Sequence, residues 1–177
     1  MRFVETPIAG AFVVEPQPAY DERGAFARIF CEQEFGAHDL KTHFPQWSVS
    51  RNTHKNTLRG MHYSVGPHAE TKLVRATRGT VYDVIVDMRQ DSPTHRRWFA
   101  TELGAHSGNA LYIPIGVAHG FQTLADDSEI VYHIHPVFDA DAGRGVRWND
   151  PSFGIAWPDA DPRIMSARDA NYPDYLL

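Results

Sequence analysis

The chain has one cysteine, Cys31, in 177 residues. No disulfide can form within it, so a disulfide-stapled fold and the oxidising compartment that sustains one are excluded. No apolar run approaches the roughly 20 residues that cross a bilayer as a helix. The opening residues, Met1-Arg2-Phe3-Val4-Glu5-Thr6, carry an acid where a secretory leader would be apolar. These absences predict a cytoplasmic protein with no membrane association. Positive charge is also scarce: 17 Lys and Arg against 22 Asp and Glu leave a net charge of −5. That balance argues against nucleic acid as a partner, and any bound anion must meet a local cluster of arginines. Internal repeats and low-complexity linkers are missing as well. The length suits a single domain over residues 1–177, and the 42% hydrophobic and 22% charged content is that of a globular protein.

Histidine, by contrast, is plentiful at ten residues, which makes acid–base chemistry and metal binding the two things to test. The most informative stretch is Leu58-Arg59-Gly60-Met61-His62-Tyr63. On a regular strand, Arg59 and His62 are an odd number of residues apart and point to opposite faces. Gly60 permits a bulge that would bring them to the same side. His62 is then a candidate general base in an all-β barrel; a hydrogen-bonded core histidine is the alternative.

Glycine and proline punctuate the rest of the chain into strands of five to eight residues, the pattern of a sandwich or small barrel. Ala11 to Val14, set among prolines, reads as an edge or exchanged strand. In Asp21 to Phe30, a turn precedes Phe26, Arg28 and Phe30 on one extended face. Arg23 and Arg28 around an aromatic fit either a phosphate clamp or a solvated edge strand. Cys31 reads as a small buried hydrophobe, and a short helix is expected over Glu32 to Leu40. From Phe44 to Ser50, Gln46, Ser48 and Ser50 share a face, as inward polar groups awaiting a polar ligand.

Thr71 to Ala76 and Gly79 to Asp87 read as two antiparallel strands joined at a glycine turn. Asp83, between Val81 and Ile85 on one face, is expected to answer a buried cation or histidine. Pro114 to Phe121 sets His119 beside a glycine where a turn re-enters a strand. In Glu129 to His135, Ile130, Tyr132 and Ile134 form the inward face, and His133 and His135 are assigned to a solvated edge. Residues 143–157 read as loop, and Asp169 falls in an irregular Ser-Ala-Arg-Asp segment.

Nine ordered blocks resemble the dTDP-4-dehydrorhamnose 3,5-epimerases. They are Asp21-Glu22-Arg23-Gly24-x-Phe26, Phe44-x-Gln46, Leu58 to Tyr63, Lys72-Leu73-Val74, Gly79-x-Val81-x-Asp83-Val84-x-Val86-Asp87, Ser92-Pro93-Thr94, Ile113-Pro114-x-Gly116-x-Ala118-His119-Gly120-Phe121, Trp148-Asn149-Asp150-Pro151 and Ser166-x-x-Asp169. The resemblance runs through nearly the whole chain. It implies an all-β, cupin-type jelly roll, a homodimer, and an isomerase acting on a nucleotide-linked 4-keto-6-deoxy sugar with no metal and no cofactor. It further implies His62 as base, Asp169 as the carboxylate that orients it, Lys72 as the cation at the enolate oxygen, and Tyr132 as the acid on the opposite face. Arg59 and His119 would line the sugar and pyrophosphate with Gln46 nearby, and Ser48 would belong to the substrate-binding set. Arg23 and Phe26 would reach the nucleotide of the partner subunit.

Three positions depart from the family's pattern. Arg28 stands where an acid usually contacts thymine, Ser48 where asparagine is usual, and Phe138 where a second tyrosine is common. An arginine cannot accept the hydrogen bond that a carboxylate would, so Arg28 and Ser48 leave the identity of the nucleotide base open. The lost hydroxyl at Phe138, in the substrate-binding set, opens the alternative of inversion at one carbon only, and a keto-isomerase of the same fold is a separate alternative. A metal-dependent cupin using His62, His68, Glu70 and His119 is a further alternative, though Ser64 breaks its usual His-x-His pair. A noncatalytic nucleotide-sugar module would keep Arg23, Arg59 and Gln46 without needing His62, Lys72 or Tyr132.

Overall fold

The computed structural model describes residues 1–175. Its strands, in chain order, are β1 (Arg2–Glu5), β2 (Phe12–Glu15), β3 (Ala19–Asp21), β4 (Gly24–Phe26), β5 (Gln46–Asn52), β6 (Leu58–Ser64), β7 (Thr71–Arg78), β8 (Thr80–Asp87), β9 (Trp98–Gly104), β10 (Ala110–Ile113), β11 (Val117–Thr123), β12 (Ser128–His135) and β13 (Gly143–Gly145). Two short helices, α1 (Glu32–Gly36) and α2 (Ala167–Ala170), complete it. A six-stranded sheet runs β1-β2-β10-β7-β12-β5, a five-stranded sheet runs β13-β6-β11-β8-β9, and β3 pairs only with β4. Val74, Leu111 and Ile130 of the first large sheet share one buried cluster with Val81, Ile85 and Phe121 of the second. This is the cupin-type sandwich expected from the short, punctuated strands. Among the described residues, no helix is long and apolar enough to cross a membrane.

Several local expectations need correction. β7 and β8 do meet at Gly79, whose φ is +68°, but they do not pair with each other. β7 pairs with β10 and β12, and β8 with β11 and β9. Their apolar faces have to oppose one another across the core, which a flat hairpin would prevent. The apolar piece at residues 11–14 is not an edge, because β2 lies between β1 and β10. β12 is likewise interior to its sheet. His133 therefore packs edge-on against Trp47, with ring centroids 4.2 Å apart, rather than facing solvent. The helix begun at Glu32 closes at Gly36; Asp39 takes φ +56° and turns the chain so that Phe35 and Leu40 still reach the interior. Cys31 is half-buried at the N-cap of that helix, not within the core.

The five-stranded sheet positions the site. Its strands β6 and β11 pair His62 with His119 and Arg59 with Phe121, with a register shift between the two pairs. Gly60, at φ +135°, sits at that irregularity. Directly paired residues of an antiparallel ladder share a face. Arg59 and His62 therefore both point inward, as the bulge reading required.

Candidate active site

A cavity of about 570 Å³ opens between the sheets near β6 and β12. His62, Tyr132, Lys72, Arg59, Asp169, Ser48 and Phe138 all line it. His62 Nε2 lies 2.8 Å from Asp169 Oδ1. The other oxygen of Asp169 accepts the Gly60 amide at 3.2 Å, so one carboxylate holds both the imidazole and the bulge. Asp169 is not in irregular chain: Ser166 caps α2 by accepting from the Asp169 amide at 3.1 Å, and this turn aims the buried carboxylate at His62. Burial would raise the Asp169 carboxyl. The His62 hydrogen bond and charge, the Gly60 amide and the Arg59 cation outweigh it and hold the group below the ordinary carboxylate range.

Tyr132 is partly buried on the same cavity. Burial pushes its phenol well above the usual tyrosine range and the Asp83 carboxylate adds to that, with Arg59 acting in the opposite sense. The group is therefore a protonated phenol at neutral pH. Lys72 Nζ lies 3.1 Å from Glu70 Oε2, with the lysine side chain 13% exposed.

His119, expected to line the sugar and pyrophosphate, is not on the cavity wall. It is buried behind Tyr132, with ring centroids 5.8 Å apart, and its Nε2 contacts both oxygens of Asp83. The inward carboxylate foreseen at Asp83 thus finds its histidine. Gln46 also lies off the cavity wall: its Nε2 donates to Ser48 Oγ at 3.3 Å, and its Oε1 accepts from the Phe138 amide at 2.9 Å, so it braces two residues that do line it. Arg23 and Phe26 sit on the exposed β3–β4 hairpin away from this cavity, where Phe26 is 82% exposed and Arg23 pairs with Asp21. Arg28 pairs with Glu34 at 3.0 Å.

The four residues of a metal-dependent cupin do not converge. His62 faces Asp169, His68 faces Asp139, Glu70 faces Lys72, and His119 faces Asp83.

Motif reading missed Arg144, Arg168 and Tyr172, which also line the cavity, as does Ser166 of the last motif block. Arg168 has a sequence signal, as it adjoins Asp169, and Arg144 is a cation between two glycines. Tyr172 has none. Its ring sits edge-on to His62 at 5.7 Å, over the bare backbone of Gly145.

Fold and cavity together define a class: a cupin-type β-sandwich enzyme with an arginine-lined pocket. The family described as dTDP-4-dehydrorhamnose 3,5-epimerase matches residues 5–176. A dTDP-4-dehydrorhamnose 3,5-epimerase of Shigella flexneri is 40% identical over 172 residues, covering 97% of this chain and 94% of that one. The crystal structure of the Elizabethkingia anophelis enzyme of that name superposes with a TM-score of 0.94 at 33% identity, covering 99% and 96% of the two chains. A Bacillus anthracis counterpart with TDP and PPi bound gives 0.93 at 35% identity, covering 98% and 99%. The chain belongs to the dTDP-4-dehydrorhamnose 3,5-epimerase family, and it is an isomerase-class enzyme.

Proposed function

We propose that the cavity binds a dTDP-linked 4-keto-6-deoxy sugar and inverts it through an enolate at C3, C5 or both. The observation that carries this reading is that a carboxylate-backed imidazole, His62, and a protonated phenol, Tyr132, line one pocket. The C4 carbonyl acidifies the hydrogens on its neighbouring carbons. His62 takes one of them as general base, and Asp169 orients the ring and stabilises the imidazolium. Lys72 supplies positive charge where the enolate oxygen develops. Tyr132 returns a proton to the other face. The ketone supplies the activation, so the scheme calls on no metal or cofactor.

Arg59, Arg144 and Arg168 give this acidic chain the local cations that a diphosphate needs. The TDP and PPi bound to the Bacillus anthracis relative agree with that use. Ser48, braced by Gln46, presents a small hydroxyl to the sugar or base.

We further propose a homodimer in which the β3–β4 hairpin delivers Arg23 and Phe26 to the nucleotide in the partner's cavity. The hairpin pairs with neither large sheet, and it leaves Tyr20 76% and Phe26 82% exposed, a large apolar surface for a monomer to leave in water.

Inversion at a single carbon is the second reading, favoured by one observation: Phe138 lines the cavity and brings no hydroxyl to it.

Incubation with dTDP-4-keto-6-deoxyglucose in heavy water, followed by NMR at each ring proton, tests the scheme. Deuterium is expected at C3, C5 or both, and His62→Ala should abolish its uptake while nucleotide affinity is kept. Conversion without deuterium uptake rules out the enolate.

A further inference from the structure

Resting on the reading above, we propose that Glu70 is a positioning residue for Lys72, holding its ammonium in place and aimed at the ketone oxygen of the sugar. Glu70 lines the cavity, yet its side chain is only 3% exposed. Oε2 lies 3.1 Å from Lys72 Nζ, whereas Oε1 is sealed from water and has no hydrogen-bond partner. An unsatisfied buried carboxylate oxygen is costly, and such groups call for an explanation.

A structural salt bridge would tie distant elements together. This one joins residues two apart along the same extended chain, so it fastens nothing to anything else. What it does change is the lysine. With its side chain 13% exposed, Lys72 has little water to partner its ammonium. A carboxylate at contact distance answers one of its donors and holds the long, flexible side chain in place. The ammonium has three donors, one of which faces Glu70, so others remain for the developing oxyanion. The otherwise costly acid is thus explained by the place in which it holds its neighbour's charge.

The test compares wild type, Glu70→Gln, Lys72→Met and the double variant, reading the rate of deuterium uptake from solvent into the same ketosugar. Glu70→Gln keeps shape and one acceptor but removes the charge. It should lower kcat roughly ten- to a hundredfold with KM nearly unchanged, because the cation acts in the transition state. In the Lys72→Met background the same change should cost nothing further, since Glu70 has lost the group through which it acts. Glu70→Asp, which retains the charge at a shorter reach, should fall between wild type and Glu70→Gln, and it serves if the glutamine variant folds poorly. An equal fold loss in both backgrounds, or a wild-type kcat in Glu70→Gln, overturns the proposal. If instead wild-type protein takes up no deuterium, the enolate reading itself has failed, and the two failures are thereby told apart.

Discussion

His119 Nε2 lies 3.0 and 2.9 Å from the two oxygens of Asp83, and neither residue has appreciable contact with water. Burial raises the Asp83 carboxyl, and the His119 contact partly opposes that rise. Removing one member of a buried hydrogen-bonded pair strands the other in a low-dielectric interior. Asp83→Ala should therefore cost about 3–5 kcal/mol of stability, read from urea unfolding. A loss under about 1 kcal/mol would mean that His119 finds another partner.

The same pair bears on catalysis through Tyr132. Because burial and the Asp83 charge keep the phenol protonated, Tyr132 can donate but not abstract at neutral pH. Tyr132→Phe should then separate two events. His62 still removes the proton, so deuterium still enters the sugar, while inversion falls by about a hundredfold or more because no acid serves the opposite face. NMR of the recovered substrate distinguishes labelled, uninverted sugar from product. Full inversion in this variant would show that another group delivers the proton.

Patterning along the chain revealed a good deal of this site, for identifiable reasons. Arg59, Gly60 and His62 could be brought to one face because only a bulge reconciles their spacing, and Gly60 adopts the conformation that makes one. Asp83 betrayed a partner because a carboxylate between two aliphatics has to be answered. The pairing of β7 and β8 was misread because a glycine turn between two strands looks the same whether they pair or cross between sheets. His133 was misread for a related reason: neighbours in a sheet are set by strands distant in sequence. Tyr172 could not be foreseen, since its place over Gly145 follows from how the C-terminal segment folds back.

Acid sensitivity should trace to Asp87. Its Oδ1 accepts the Arg89 amide at 3.0 Å and Arg89 Nε at 2.8 Å, and its Oδ2 accepts Arg89 Nη2 at 2.7 Å and Thr94 Oγ1 at 2.6 Å. Burial alone would raise this carboxyl, but these bonds and the Ser92 hydroxyl bring it down to about 2. A depressed folded-state value stabilises the protein above the ordinary carboxylate value of 3.8 and is lost as pH falls toward 2. The shift corresponds to roughly 2 kcal/mol. Asp87→Asn should thus be less stable than wild type at pH 7, with the gap closing as the pH drops from about 4 toward 2. Thermal melts across that range give the comparison, and a gap that is constant with pH would refute the assignment.

Gly60 ties stability to the site most tightly. Its φ of +135° is strained for any side chain, and a Cβ there would lie 2.5 Å from the Gly120 Cα and 3.1 Å from the His119 oxygen. Those neighbours are backbone of the paired strand and cannot swing aside. Gly24 offers the matched control, with φ +127° and nothing within 4 Å of an added Cβ. Gly24→Ala pays the conformational cost alone, of order 1–3 kcal/mol, whereas Gly60→Ala adds the collision and should lose about 3 kcal/mol or more. The surviving folded fraction should also be nearly inactive. Relieving the collision means moving β6 away from β11, and that motion carries Arg59 and His62 off the shared face and pulls the Gly60 amide from Asp169. Equal losses of stability in the two variants, measured by denaturant unfolding, would disprove the close approach at Gly60.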